Sequence, residues 1–276
     1  MTSFLLVLFL TGYCFSAENI APAPKVEISS TNVTHGSILV IKVFDKTAKR
    51  VQIKKSVFAL YDGKDGVSKG VLVGVPTWWD IGGKYEVVVN GVATGQFVEV
   101  GGRVVKSEKI SIEKSKLVTS EETKKQGEIL VKAIAALTEE RYWSGNFIKP
   151  VEGRISTEYG TGRTVNGNAG GVHRGLDIAA DEGVEVKAAN DAVVVLSRNH
   201  ILTGNTIVLN HGQGVISVYY HMSALVAKEG AKVEKGEVIG KVGSTGVSTG
   251  AHLHWGIWIF GVDVNPLELI EKNIEF

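Results

Sequence analysis

Cysteine is nearly absent from this chain: one residue, Cys14, in 276. It lies beside an N-terminal apolar run, so a mature chain without that segment forms no disulfide and offers no thiolate to a metal. Charge excess is absent too. The 30 Lys and Arg residues against 29 Asp and Glu leave a formal charge of +1, which gives no reason to expect nucleic acid as a partner. The apolar run Phe4-Leu5-Leu6-Val7-Leu8-Phe9-Leu10 is too short to span a bilayer as a helix. With small Ser16 and Ala17 after it, residues 1–17 read as a secretory signal, although no Lys or Arg precedes the run. Tyr13 stands where a lipoprotein signal needs a small residue, which argues against lipidation of Cys14. The expectation is an exported protein of the periplasm, cell envelope or extracellular space, with no stable membrane span in the mature chain.

Glycine, in contrast, is plentiful. Thirty-three glycines in a chain that is 44% hydrophobic and 21% charged point to many turns between short strands. From Lys25 the sequence alternates and breaks as strands do, with candidates over 25–29, 37–44, 51–53, 57–61, 70–75, 84–89 and 96–100. Turn signals such as Asp62-Gly63 and Asn90-Gly91 separate them. A small β-sandwich is therefore expected over residues 18–105, with Trp78 and Trp79 serving packing rather than a ligand. Residues 106–146 read as a linker with a helix. Its Thr119-x-x-Glu122 capping box precedes Leu130, Ile134 and Leu137 at helical spacing, and the helix is expected to end near Arg141. From Gly145 onward, strands over 184–188, 192–197, 206–210, 216–220, 238–242 and 252–260 alternate with glycine turns, predicting an antiparallel β domain. The fold class is thus mainly β.

Chemistry concentrates in three places. His252 and His254 flank Leu253 on a predicted strand, so their side chains share a face. His173 and Asp177 bracket Arg174-Gly175-Leu176. In an extended strand they would lie roughly 13 Å apart, so the chain must bend between them, and Gly175 allows it. His221 follows Tyr219-Tyr220. Two or three His plus one carboxylate, with a position left open, is a ligand set for catalytic zinc. His35, His200 and His211 read as surface or satisfied core histidines. The His-Glu-x-x-His helix motif is missing.

These elements resemble the M23 family of zinc metallopeptidases, the lysostaphin-like or LytM-type peptidoglycan hydrolases. The resemblance begins at Pro150-Val151-Glu152-Gly153-Arg154-Ile155-Ser156. It continues through His173-Arg174-Gly175-Leu176-Asp177-Ile178-Ala179 and Tyr219-Tyr220-His221-Met222-Ser223. It closes with Gly243-Ser244-Thr245-Gly246 and Ser248-Thr249-Gly250-Ala251-His252-Leu253-His254. It covers residues 147–269, leaving 270–276 as a C-terminal tail. It implies one Zn2+ per chain held by His173, Asp177 and His254, with His221 and His252 as catalytic histidines. The implied substrate is the peptide stem or cross-link of peptidoglycan, cut as an endopeptidase or a carboxypeptidase.

In the implied mechanism, metal-activated water attacks the peptide. His252 takes the proton of the water and returns it to the leaving amine. His221 stabilises the oxyanion or shares the proton transfer. The alternative is an envelope scaffold that binds peptidoglycan or activates another hydrolase without cutting. That reading predicts missing ligands, whereas all five residues are present. Glycine-rich stretches at 160–171 and 243–250 are candidate walls of a narrow groove. The N-terminal domain, joined through a long linker, is a candidate intramolecular regulator.

Overall fold

The alternating N-terminal sequence pairs into two facing sheets. A computed structural model describes residues 23–113, 115 and 119–276; the expected signal segment, residues 1–17, lies outside the described residues. The first elements are β1 (Val26–Ile28), β2 (Asn32–Val33), β3 (Ile38–Val43), β4 (Arg50–Ile53), β5 (Ser56–Ala59), β6 (Tyr61–Asp62), β7 (Lys69–Gly74), β8 (Lys84–Val89) and β9 (Val92–Val100). Strands β1-β3-β7-β6 form one sheet and β2-β9-β8-β4-β5 the other. Leu39, Ile41, Val71, Val73, Val51, Ile53, Val87 and Val98 fill the space between them. Trp79 belongs to this core, whereas Trp78 stands 62% exposed.

The unbroken apolar run of β3, Ile38-Leu39-Val40-Ile41, marks a strand buried on both faces. Leu39 and Ile41 face the sandwich interior. Ile38 and Val40 join Leu72 in the core of the C-terminal half. Phe276 packs so tightly on β7 that a Cβ at Gly70 would meet its ring at 2.3 Å. The expected C-terminal tail is thereby part of the core, and the two halves of the chain share one continuous apolar contact.

Next come β10 (Ser107–Ile110) and α1 (Glu121–Ile134). The helix differs from its sequence reading at both ends. Ser120, not Thr119, is the N-cap, and the reciprocal box partner is Thr123. The helix stops at Ile134 because the following chain is drawn into β contacts: Gln213 N donates to Thr138 O, and Arg141 bridges Gly212. Leu137 is consequently exposed. Leu130 and Ile134 pack onto Leu196, Val208, Ile216, Val218 and Trp258 on the outer face of the C-terminal sheet.

The remaining elements are β11 (Arg154–Thr157), β12 (Gly162–Val165), β13 (Asn168–Val172), β14 (Leu176–Ala179), β15 (Glu185–Lys187), β16 (Ala192–His200), β17 (Gly204–Gly212), β18 (Val215–Met222), β19 (Ala224–Leu225), β20 (Lys232–Val233), β21 (Val238–Lys241), β22 (His252–Ile259), β23 (Val262–Val264) and α2 (Leu267–Glu271). The main sheet runs β11-β14-β22-β18-β17-β16-β20, with β23 pairing β22. Its pairings are antiparallel. A smaller sheet, β15-β21-β19, completes the C-terminal unit. The linker strand β10 adds in parallel to β12 in a third sheet, β10-β12-β13. The architecture is mainly β, as expected.

Candidate functional site

Three central strands set the site by register. Asp177 on β14 pairs with His254 on β22, and His254 pairs with Tyr220 on β18. Residues paired across a sheet project to the same face, so this row is fixed once the strands align. His252 lies two residues along, opposite Ala179. His173 precedes β14, beyond the bend at Gly175. Gly175 also supplies room. A Cβ there would meet His254 Nε2 at 2.8 Å and the Trp255 carbonyl at 2.6 Å.

His173 Nε2, Asp177 Oδ1 and His254 Nδ1 each lie 2.9 Å from the other two. All three residues are buried. His173 Nδ1 lies 3.1 Å from the Glu158 carbonyl, which requires a proton on that nitrogen and leaves Nε2 bare. Two imidazole nitrogens and a carboxylate oxygen thus converge with too few protons to satisfy one another. A cation resolves that arrangement, and the donor set suits zinc. Burial raises the Asp177 pKa, but its close contacts with the His173 and His254 imidazoles outweigh it and hold the carboxyl below the usual range. Burial lowers the His254 pKa, favouring the neutral imidazole that a metal requires. The Tyr220 ring stacks on His254, 5.0 Å between centroids and 5° from parallel.

His252 and His221 face this cluster with rings 4.9 Å apart. His252 Nδ1 lies 2.8 Å from the Gly250 carbonyl, and its Nε2 is 3.8 Å from Asp177 Oδ1. His221 Nδ1 lies 2.9 Å from the Thr245 carbonyl. Each ring therefore donates through Nδ1 and carries its free lone pair on Nε2. His221 takes φ +65°, a left-handed conformation uncommon outside glycine. Strand alternation would turn His221 away from Tyr220 and His254. The positive φ, beside a register shift between Asn205 and Ile207, returns it to their side. Burial and the neighbouring His254 and His252 push the His221 pKa down to about 3.

A cleft of about 480 Å³ runs past these groups. Its walls include Arg163, Val165 and Gly170 from one glycine-rich stretch and Val247–Gly250 from the other, with Ala251 and His252 beyond it. Glu108, Ile110 and Ile112 of the linker also line it. Sequence reasoning passed over Arg163, although it is the sole charged residue between Gly160 and Gly171. It also passed over Glu108, which sits in the segment read as a linker. Arg163 Nη2 donates to Asp177 Oδ2 at 2.5 Å, and Arg163 Nε donates to Glu108 Oε1 at 2.6 Å.

The other histidines stay apart from the site. His35 Nε2 meets the Trp79 carbonyl at 2.7 Å, and His200 and His211 are buried elsewhere. Trp258, two positions past Gly256 on the histidine face of β22, lies under α1 as core. Among the described residues, no helix is long and apolar enough to cross a membrane.

Residues 171–266 match the family model described as Peptidase family M23. Over 96 residues the chain is 41% identical to the peptidoglycan DD-endopeptidase ShyA of Vibrio cholerae, covering 35% of this chain and 22% of that protein. It is 44% identical over 98 residues to the DD-carboxypeptidase/endopeptidase Mpg of Neisseria meningitidis, covering 36% of this chain and 23% of that one. The aligned part is thus less than a quarter of either relative's length. A solved structure from Pseudomonas aeruginosa assigned to peptidase M23 superposes with a TM-score of 0.67 at 23% identity. It covers 86% of this chain and 94% of that one. At that identity the likeness speaks to the fold.

Proposed function

Since residues 171–266 are a domain of peptidase family M23, we propose that the protein is a zinc-dependent peptidoglycan hydrolase acting on peptide stems or cross-links of the bacterial envelope. The carrying observation is the convergence of His173 Nε2, Asp177 Oδ1 and His254 Nδ1 beside two histidines with free Nε2 atoms. The DD-endopeptidase and DD-carboxypeptidase/endopeptidase names of the relatives point to peptidoglycan as substrate, and hence to an exported protein of the envelope. In this reading residues 147–269 are the catalytic unit and residues 18–105 the accessory one. Regulation by the N-terminal region would act through the linker, because residues 108, 110 and 112 line the cleft.

His173, Asp177 and His254 would hold the ion. When bound, zinc supplies Lewis-acid polarisation of the scissile carbonyl and acidifies water. The protein's own groups handle the proton. His252, whose Nε2 is 3.8 Å from the ligand carboxylate, accepts the proton of the attacking water and passes it to the leaving amide nitrogen. His221 also presents a bare Nε2, since its Nδ1–H serves Thr245. In the neutral form it is an acceptor, suited to orienting water or sharing the proton. Stabilising an oxyanion would need a second proton on the ring, which its burial opposes. The anchoring carbonyls of Gly250 and Thr245 fix both tautomers before substrate arrives.

The test is digestion of purified peptidoglycan with mass spectrometry of the released fragments, run beside His252→Ala and a chelator control. Chelator-sensitive cleavage that drops by about 10²–10⁴-fold in His252→Ala is expected. Zinc bound to the wild type with no cleavage would instead favour the scaffold or activator reading.

A further inference from the structure

We infer that the interdomain linker is a working part of the metal site: Glu108 is a positioning residue that holds Asp177 in its ligating orientation through Arg163. This rests on the reading of His173, Asp177 and His254 as a zinc site.

The placement follows from register. Strand β10 pairs in parallel with β12 so that Glu108 lies opposite Arg163. Cross-strand partners share a face, and an opposite-charge pair there is favourable. The turn after β12 locks this alignment. Asn166 and Gly167 take φ of 49° and 83°, the positive values that a two-residue hairpin connection needs and that Asn and Gly accept. The Asn166 side chain then accepts from Ile112 N at 3.0 Å and donates to Ile112 O at 2.8 Å, while Asn166 N donates to Ile110 O. One turn residue thereby clamps the linker on both sides of Ser111.

The side chains complete the relay. Arg163 spends Nε on Glu108 and Nη2 on Asp177 Oδ2. Thr157 Oγ1 donates to the other Glu108 oxygen at 3.2 Å. With Oδ2 occupied, Asp177 turns only Oδ1 toward His173 and His254. Glu108 also shares the charge of the guanidinium, which otherwise falls on the Asp177 carboxylate alone. Loss of Glu108 frees the Arg163 rotamer and leaves its charge to Asp177 alone, where it competes with a bound cation, and both effects weaken metal binding. Outer partners of ligands typically change metal affinity by about 10–100-fold. Lysine cannot replace Arg163, because one ammonium cannot fill both the Nε and Nη2 positions of the fork.

The experiment measures zinc affinity of the full chain by competition with a chromophoric chelator, and the absorption bands of the cobalt-substituted protein. Glu108→Gln is expected to weaken zinc binding about 10-fold and to shift the cobalt bands, with metal-free thermal unfolding unchanged. Arg163→Lys is expected to behave as a loss rather than a rescue. In an Arg163→Gln background, Glu108→Gln should have no further effect, because Glu108 acts through Arg163. Wild-type affinity in Glu108→Gln, or an equal weakening with Arg163 already replaced, would overturn the inference while leaving the zinc site standing. A wild-type chain that binds no zinc would overturn both.

Discussion

Acid should weaken this fold through one histidine remote from the cleft. His211 is fully buried, with Nδ1 2.8 Å from the Asp191 carbonyl, Nε2 2.7 Å from Ser217 Oγ and the Phe147 ring 4.8 Å away. Burial lowers its pKa to about 4, from 6.5, despite the Asp191 carbonyl, which works the other way. The folded state thus favours the neutral ring, while the unfolded chain takes up a proton at ordinary pH. Above pH 6.5 both states are neutral and the stability is fully present. As pH falls from 6.5 toward 4, only the unfolded state gains the proton, and stability is lost. At 1.36 kcal/mol per unit the loss is roughly 3 kcal/mol. The assay is urea unfolding of metal-free protein from pH 7.5 to 4, for the wild type and His211→Gln. The substitution has its own cost, so the comparison uses the slope of stability against pH. The other buried groups titrate in both proteins and cancel. The wild type should fall more steeply by about 3 kcal/mol across this window; equal slopes would refute the reasoning.

Two further predictions concern packing and room at the site. Gly175→Ala inserts a Cβ 2.8 Å from His254 Nε2, so zinc affinity should drop by at least about 10-fold, read by chelator competition; unchanged affinity would mean the ligand ring relaxes freely. Trp258→Ala should cost about 3–5 kcal/mol in chemical unfolding by opening the cluster beneath α1, and a loss below about 1 kcal/mol would show that the helix does not rely on that ring.

Local patterns carried most of the fold. The N-terminal strands show in alternation and in turn pairs such as Asn90-Gly91, because a half-buried sheet imposes a period of two. Short strands without that period escaped. Strand β13, Asn168-Ala169-Gly170-Gly171-Val172, is exposed along its length and rich in glycine. The linker strand β10, Ser107-Glu108-Lys109-Ile110, carries two adjacent charges and looks solvated until its partner is known. The end of α1 escaped for a similar reason. Residues 135–141 favour helix locally, yet contacts to β17 drew them out of it.

The sequence by itself determined that this is a glycine-rich, mainly β chain in which His252 and His254 share one strand face and His173 and Asp177 flank a bend. Those features depend on residues within a few positions of each other, where alternation and glycine geometry act. Only the tertiary structure decided three other things. It turned His221 to the side of His254 through a left-handed residue, which parity alone would have denied. It brought His173, Asp177 and His254 within hydrogen-bonding distance across 81 positions of chain. It carried Glu108 from the linker to Arg163 and so to Asp177. Each of these rests on strand register and on contacts between distant segments, which no local pattern specifies.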